Sequence, residues 1–198
     1  TNQQSIVNYD TIQELNTTEL KEIFFTIRNV LGKDEVFFAR ISYGRVENLA
    51  YFDNNYNSDY NRFLVHYIDV EQLMVSSSYE RKINDIMSLN LKTVYYNWGD
   101  AEIAHKSNLL VNASLFINLR DKIILNPKFE YISNQKAFIS EEYEIDYKFH
   151  FHLDIVYNYS KVFSAYLQLN NLTNSKKELW RDYQEIGFNG IFGLSYSF

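Results

Sequence analysis

From Leu109 onward the chain alternates between apolar and polar positions with a period of two. Leu109, Val111, Ala113, Leu115, Ile117 and Leu119 share one parity, and Asn112, Ser114 and Asn118 lie between them. The segment Ile123, Leu125, Pro127, Phe129, Tyr131 is interleaved with Asn126, Lys128 and Glu130, and Tyr147, Phe149, Phe151, Leu153, Ile155, Tyr157 with Lys148, His150, His152 and Asp154. Phe163, Ala165, Leu167 and Leu169 form a fourth series, in which Tyr166 is an aromatic on the polar side. Successive side chains of a strand point to opposite faces, so this pattern predicts strands with two chemically different faces. Helical spacing would place Lys148, Phe151 and Ile155 on one stripe, and it fails.

Earlier segments show the same period with more noise. Ile23, Phe25 and Ile27 suggest a strand, and Ile6 to Tyr9 a further stub. Phe37, Ala39, Ile41 and Tyr43 form one series, and Met87, Leu89, Leu91, Thr93 and Tyr95 another. Arg62 to Glu80 keeps one parity and reads as a single long strand, with a turn at Asp69–Glu71 as the alternative. At the C-terminus the apolar parity switches, to Phe188, Phe192, Leu194, Tyr196 and Phe198. The total expected is about nine to ten strands.

The connections alternate in length. Residues 32–34, 82–85, 120–122 and 158–162 are short, whereas 49–61, 99–107, 133–146 and 173–186 are long. Every second connection of an up-and-down meander lies at the same end, and transmembrane β-barrels have short turns at one end and long loops at the other. A soluble lipocalin-like barrel is the alternative, with its apolar face inward. Three features favour the inverted arrangement. The segments match the roughly 9–11 residues of a tilted bilayer-crossing strand. Tyr43, Tyr95, Tyr131, Tyr147, Tyr157 and Tyr159 gather toward segment ends, as interfacial girdles require. The apolar face carries no charge, while the other mixes Lys, His, Asp and Glu. The expected fold is therefore an all-β, antiparallel, up-and-down transmembrane β-barrel over 1–198 as a single domain. Pro127, mid-strand and unable to donate to a ladder, predicts a bulge or local irregularity.

Composition narrows the function classes. Seventeen Tyr and fifteen Phe exceed the needs of a soluble core, and the lipid-facing surface accounts for them. A net charge of −6 excludes a basic nucleic-acid footprint. With no Cys there is no disulfide framework and no thiol chemistry. The polar run opening at Thr1 does not read as a signal peptide.

The last forty residues carry a more specific signal. Asn170, Asn171, Leu172, Thr173 and Asn174 form an NNLTN turn, followed by Trp180 and Tyr183, then Gly187 and Phe188, then Gly193, Tyr196 and Phe198. This arrangement resembles the C-terminal end of TonB-dependent receptor-like outer-membrane β-barrels. The resemblance is specific over residues 160–198 and only stylistic over 35–159. It implies a Gram-negative outer-membrane location with a periplasmic C-terminus. It also implies that Tyr196 and Phe198 act as an assembly signal read by the barrel-assembly machinery. Residues 1–30 resemble neither a plug domain nor a TonB box, so the resemblance is to the final part of such a barrel or to a small plug-less relative. Outer-membrane lipid, lipopolysaccharide and other envelope subunits are the implied partners.

Candidate chemistry is sparse. Lys128, Glu130, Lys148, His150, His152 and Asp154 share the polar face of two segments, with His66 as an outlying candidate neighbour. Two His at i and i+2 can reach one metal, and a His/Asp pair can serve a lumenal hydrolase. Without a third ligand or nucleophile marked by spacing, the favoured reading is a solvated polar network with no metal and no cofactor. Glu141, Glu142, Glu144 and Asp146 read as an acidic solvated loop, and Lys176, Lys177 and Arg181 as a charged loop near Trp180. No HExxH, Walker A, G-x-S-x-G or GxGxxG motif is present. The expected role is a non-enzymatic receptor or transport barrel, or a barrel subunit of an envelope complex. The alternatives are a lumenal hydrolase using His150, His152 and Asp154, and a purely structural membrane anchor.

Overall fold

A computed structural model describes residues 16–30, 32–54, 63–137 and 143–197. Nine strands form one antiparallel sheet in chain order: β1 (Glu19–Val30), β2 (Glu35–Asn54), β3 (Phe63–Lys82), β4 (Met87–Asn97), β5 (Leu109–Leu119), β6 (Ile123–Ile132), then β9 (Lys148–Asn158), β10 (Phe163–Asn170) and β13 (Asn189–Tyr196). Two small hairpins occupy the long connections: β7 (Gln135–Lys136) with β8 (Glu144–Ile145), and β11 (Glu178–Trp180) with β12 (Tyr183–Gln184). The expected meander is observed, with each main strand paired to its neighbour in sequence. The stub at Ile6 to Tyr9 lies outside the described residues, as do Phe198, Glu141 and Glu142.

The register keeps the apolar parity in one layer across the sheet. Phe25 pairs with Ile41, Ile41 with Val75, Val75 with Tyr95 and Tyr95 with Leu109. Farther along, Phe129 pairs with Phe151, Ile155 with Leu167 and Leu167 with Phe192. Cross-strand partners project from the same face, so the parity switch in β13 restores the apolar face there. This face is the exposed one, with Phe149 44% and Phe192 68% accessible. The polar face is covered beneath the long connections, where Lys148 is 3% and His150 8% accessible, while Lys92 and Asn112 farther along it are exposed. A soluble barrel would show the reverse burial, so the sheet has the inverted construction of a membrane barrel wall. Among the described residues β1 and β13 each pair on one side only, and the sheet is not closed.

Aromatic rings mark both ends of the apolar face. Tyr131 and Tyr147 lie 6.1 Å apart toward the long loops, and Tyr159 and Phe163 6.2 Å apart at a short turn. Tyr166, the aromatic out of parity, pairs with Gly193, where a Cβ would fall 2.2 Å from its ring. The ring thus covers backbone that the glycine leaves bare on the polar face.

One expectation needs correction, and the one at Pro127 is met in its second form. Residues 49–54 belong to β2 rather than to a loop. The register shifts between Val46 and Leu49, with Asn48 at φ 55°, which marks a bulge. One extra residue reverses the parity beyond it, so a period-two reading loses the strand there. At Pro127 the β5–β6 ladder omits the Leu115–Pro127 and Phe116–Asn126 pairs, yet the register is the same on both sides. The irregularity is a gap in pairing, not a bulge, because a missing N–H removes a bond without adding a residue. The long β3 is continuous, so no turn interrupts it at Asp69–Glu71.

Candidate functional site

At the long-loop end the inner face of β2 and β3 turns apolar. Val46, Val70 and Ile103 form a small core that Leu49, Tyr51, Ile68, Trp98 and Ala101 surround. The bulge turns Leu49 and Tyr51 inward, and the connection after β4 folds over them to exclude water. His66 stacks on Tyr51 at 5.4 Å, so it belongs to this cap and does not join the other histidines.

The predicted polar cluster is assembled by β6 and β9. Glu130 lies directly opposite His150, and Lys128 opposite His152. Lys128 Nζ reaches Asp154 Oδ2 at 2.6 Å. His152 Nε2 stands 3.8 Å from Glu130 Oε2, beyond hydrogen-bond range, and the two imidazole rings are 5.9 Å apart. Glu185, which the sequence pattern did not mark, descends from the last long connection to place Oε2 2.7 Å from His150 Nε2. That approach is not aligned as a hydrogen bond, since His150 Nε2 and Glu185 Oε1 both lack such a partner. Glu130, His150 and His152 each offer a donor atom within 4.8 Å of the others. No periodicity could reveal Glu185, because its position depends on how the connection folds back over the sheet.

The family-like motif builds that connection. Asn171 is buried at φ 51°, a left-handed conformation that Asn tolerates. Its Nδ2 donates to Ser175 O at 2.7 Å and Ile186 O at 3.0 Å, tying the two ends of the connection together. Its Oδ1 accepts from Thr173 Oγ1 and from Ser175 N–H. Asn171 N–H donates to His152 Nδ1 at 3.2 Å, and Leu172 N–H to Phe151 O at 2.8 Å. Asn170 bonds Asn189 across the β10–β13 pair. Asn174 Oδ1 accepts from Phe188 N–H at 3.0 Å and leaves no room for a Cβ at Gly187. The Asn residues were visible as a motif, but their role as the clamp of the connection was not.

The hairpin β11–β12 then reaches across the polar face. Trp180 packs edge-on to Phe52 of β2 at 5.7 Å and against His105 at 4.2 Å. Arg181 lies over the Tyr143 ring at 4.5 Å, while the Tyr143 hydroxyl donates to Glu178. Lys177 pairs with Asp146 at 2.7 Å, which raises its pKa. Lys177 and Asp146 thus join the last two long connections by an ion pair. Lys176 and Tyr183 are exposed.

Burial, with the Lys148 charge adding to it, lowers the His105 pKa from 6.5 to about 4. The unfolded ring takes up its proton first, so stability at this contact is full above pH 6.5 and falls as pH drops toward 4. His105→Asn should flatten that loss. Cap opening, followed by hydrogen exchange at residues 98–108 between pH 7 and pH 4, measures it; equal pH profiles in both proteins would remove His105 as the cause.

No protein-family model and no curated protein sequence matches the chain. Solved structures do match its fold. The copper transporter OprC superposes with TM-score 0.72 at 11% identity, covering 91% of this chain and 32% of its own. A mutant of the ferric enterobactin receptor PfeA from Pseudomonas aeruginosa gives TM-score 0.70 at 13% identity, covering 91% and 31%. The pyoverdine outer membrane receptor FpvA from Pseudomonas aeruginosa PAO1 gives TM-score 0.69 at 11% identity, covering 91% and 30%. The chain thus spans about a third of the length of these structures and has the fold of a partial TonB-dependent receptor barrel.

Proposed function

We propose that this partial relative of the TonB-dependent receptor barrels forms the C-terminal wall of an outer-membrane receptor or transport barrel in a Gram-negative cell. The observation that carries the reading is the inverted burial: an aromatic face outward, whose charges Lys21, Arg45 and Glu71 lie toward the long-loop ends of β1–β3, and a polar face with loops folded over one end. The fold neighbours are transporters and receptors, which favours uptake over the lumenal hydrolase. In a bilayer the free edges of β1 and β13 are costly, because lipid offers nothing for their amide groups. The nine main-sheet strands among the described residues leave the first and last parallel, so closure by ordinary antiparallel pairing calls for more strands. Those strands come from a larger barrel or from the part of the chain outside the described residues.

In this reading the short turns and the C-terminus are periplasmic, and residues 99–107, 133–146 and 173–186 face outward with part of 49–61. Tyr196, with Phe198 beyond the described residues, serves as the assembly signal. Lipopolysaccharide and other envelope proteins are the neighbours such a surface would meet.

Cysteine labelling tests the orientation. Lys176→Cys should react with a membrane-impermeant maleimide on intact cells, and Lys161→Cys only after lysis. The opposite pattern would reverse the wall. For the competing enzyme reading, lipid and peptide hydrolysis should be unaffected when His152 and Asp154 are both replaced by Ala. Activity present in the parent and lost in that variant would replace the receptor reading.

A further inference from the structure

We infer that the polar face binds a divalent transition-metal ion between β6 and β9, with His150, His152 and Glu130 as ligands and Glu185 beside them. The two His occupy positions i and i+2 of one strand and so share a face. The pairing of Glu130 with His150 brings a carboxylate to the same spot from the next strand. The three donor atoms already lie within 4.8 Å of one another. Metal–ligand bonds of about 2.0–2.2 Å hold donors roughly 3–3.5 Å apart, so modest side-chain rotation closes the set.

The existing polar contacts do not satisfy these groups. His152 Nε2 is buried and makes no hydrogen bond, and His150 Nε2 meets only the misaligned Glu185 Oε2 at 2.7 Å. A buried ring nitrogen without a partner is costly and calls for an explanation such as an ion. Of the two neighbouring cations, Lys128 lies on Asp154 at 2.6 Å, and Lys148, buried two residues from His150, interacts with Glu185. Two imidazoles with carboxylates suit zinc, copper or nickel, whereas magnesium and calcium prefer all-oxygen sites.

The site is also joined to the connection above it. His152 Nδ1 accepts the Asn171 N–H, so coordination through Nε2 moves the ring proton to Nδ1 and breaks that bond. Glu185 would be drawn toward the ion from the other end of the same connection. Metal binding should therefore change protection at residues 171–175.

Titration of zinc, nickel, copper, magnesium and calcium chlorides into the purified full chain in detergent tests this, with calorimetry and hydrogen exchange as readouts. One transition-metal ion should bind, and neither magnesium nor calcium should compete. His150→Gln with His152→Gln, and separately Glu130→Gln, should weaken binding by at least about tenfold. His66→Gln should leave it unchanged and serves as the folded control. Retention of the heat-modifiable band on cold electrophoresis shows that each variant has folded. Absence of binding by the parent, or equal affinity in the His66 and His150/His152 variants, would overturn the site. Binding is read on isolated protein, so its failure is separate from failure of the receptor reading, which is judged in cells.

Discussion

Leu167→Arg should block insertion into lipid, whereas Gln168→Arg, one residue along the same strand, should be tolerated. Leu167 lies on the apolar face between Ile155 of β9 and Phe192 of β13. A cationic side chain there must enter hydrocarbon, at about 2–4 kcal/mol near the midplane. By the tenfold-per-1.4 kcal/mol relation, that lowers the folded-to-unfolded ratio about 30- to 700-fold. Gln168 lies on the opposite face, across from Asp154, so a new guanidinium meets a carboxylate in a polar setting. Refolding into liposomes, scored by the heat-modifiable band, separates the two. Equal yields would mean that the apolar face does not contact lipid, and the inverted construction would fall with it.

The second large effect is expected at Asn171. Its side chain makes four hydrogen bonds within the last connection. At about 1 kcal/mol each, their loss in Asn171→Ala should cost the closed connection roughly 2–4 kcal/mol. Ala is also less suited than Asn to the left-handed backbone there. The strands themselves are untouched, so the opening should be local and not global. Trypsin can report it, because Lys176, Lys177 and Arg181 lie inside the clamped segment. Cleavage there should accelerate by at least about 30-fold, with the barrel band unchanged. Asn171→Asp keeps the acceptor and the backbone preference while losing both donors, so it should fall between parent and Ala. Equal cleavage of parent and both variants would show that the clamp contributes nothing.

Strand identity, order and facing were legible because each depends on local chemistry repeated along the chain. Phe149, Phe151 and Leu153 against Lys148, His150 and His152 specify two faces whatever the neighbours are. The lengths of the connections then fix an up-and-down order. The parity switch before Phe192 was visible for the same reason, and the outward direction of the apolar face was read from bilayer-length segments with tyrosines gathered at their ends.

Tertiary structure decided the rest. The bulge at Glu47–Asn48 inserts a residue that no alternation can anticipate, and so the end of β2 read as a loop. Pro127 signalled disruption, but only the ladder shows that the register survives it. The histidines and Glu130 meet because strand pairing brings residues of like face together. Glu185 and the hub at Asn171 were not legible, since both positions depend on a long connection folding back over the sheet. Such folding is governed by hydrogen bonds between residues far apart in sequence, which leave no periodic trace. Facing is a property of each strand alone, whereas a site is a property of how strands and connections meet.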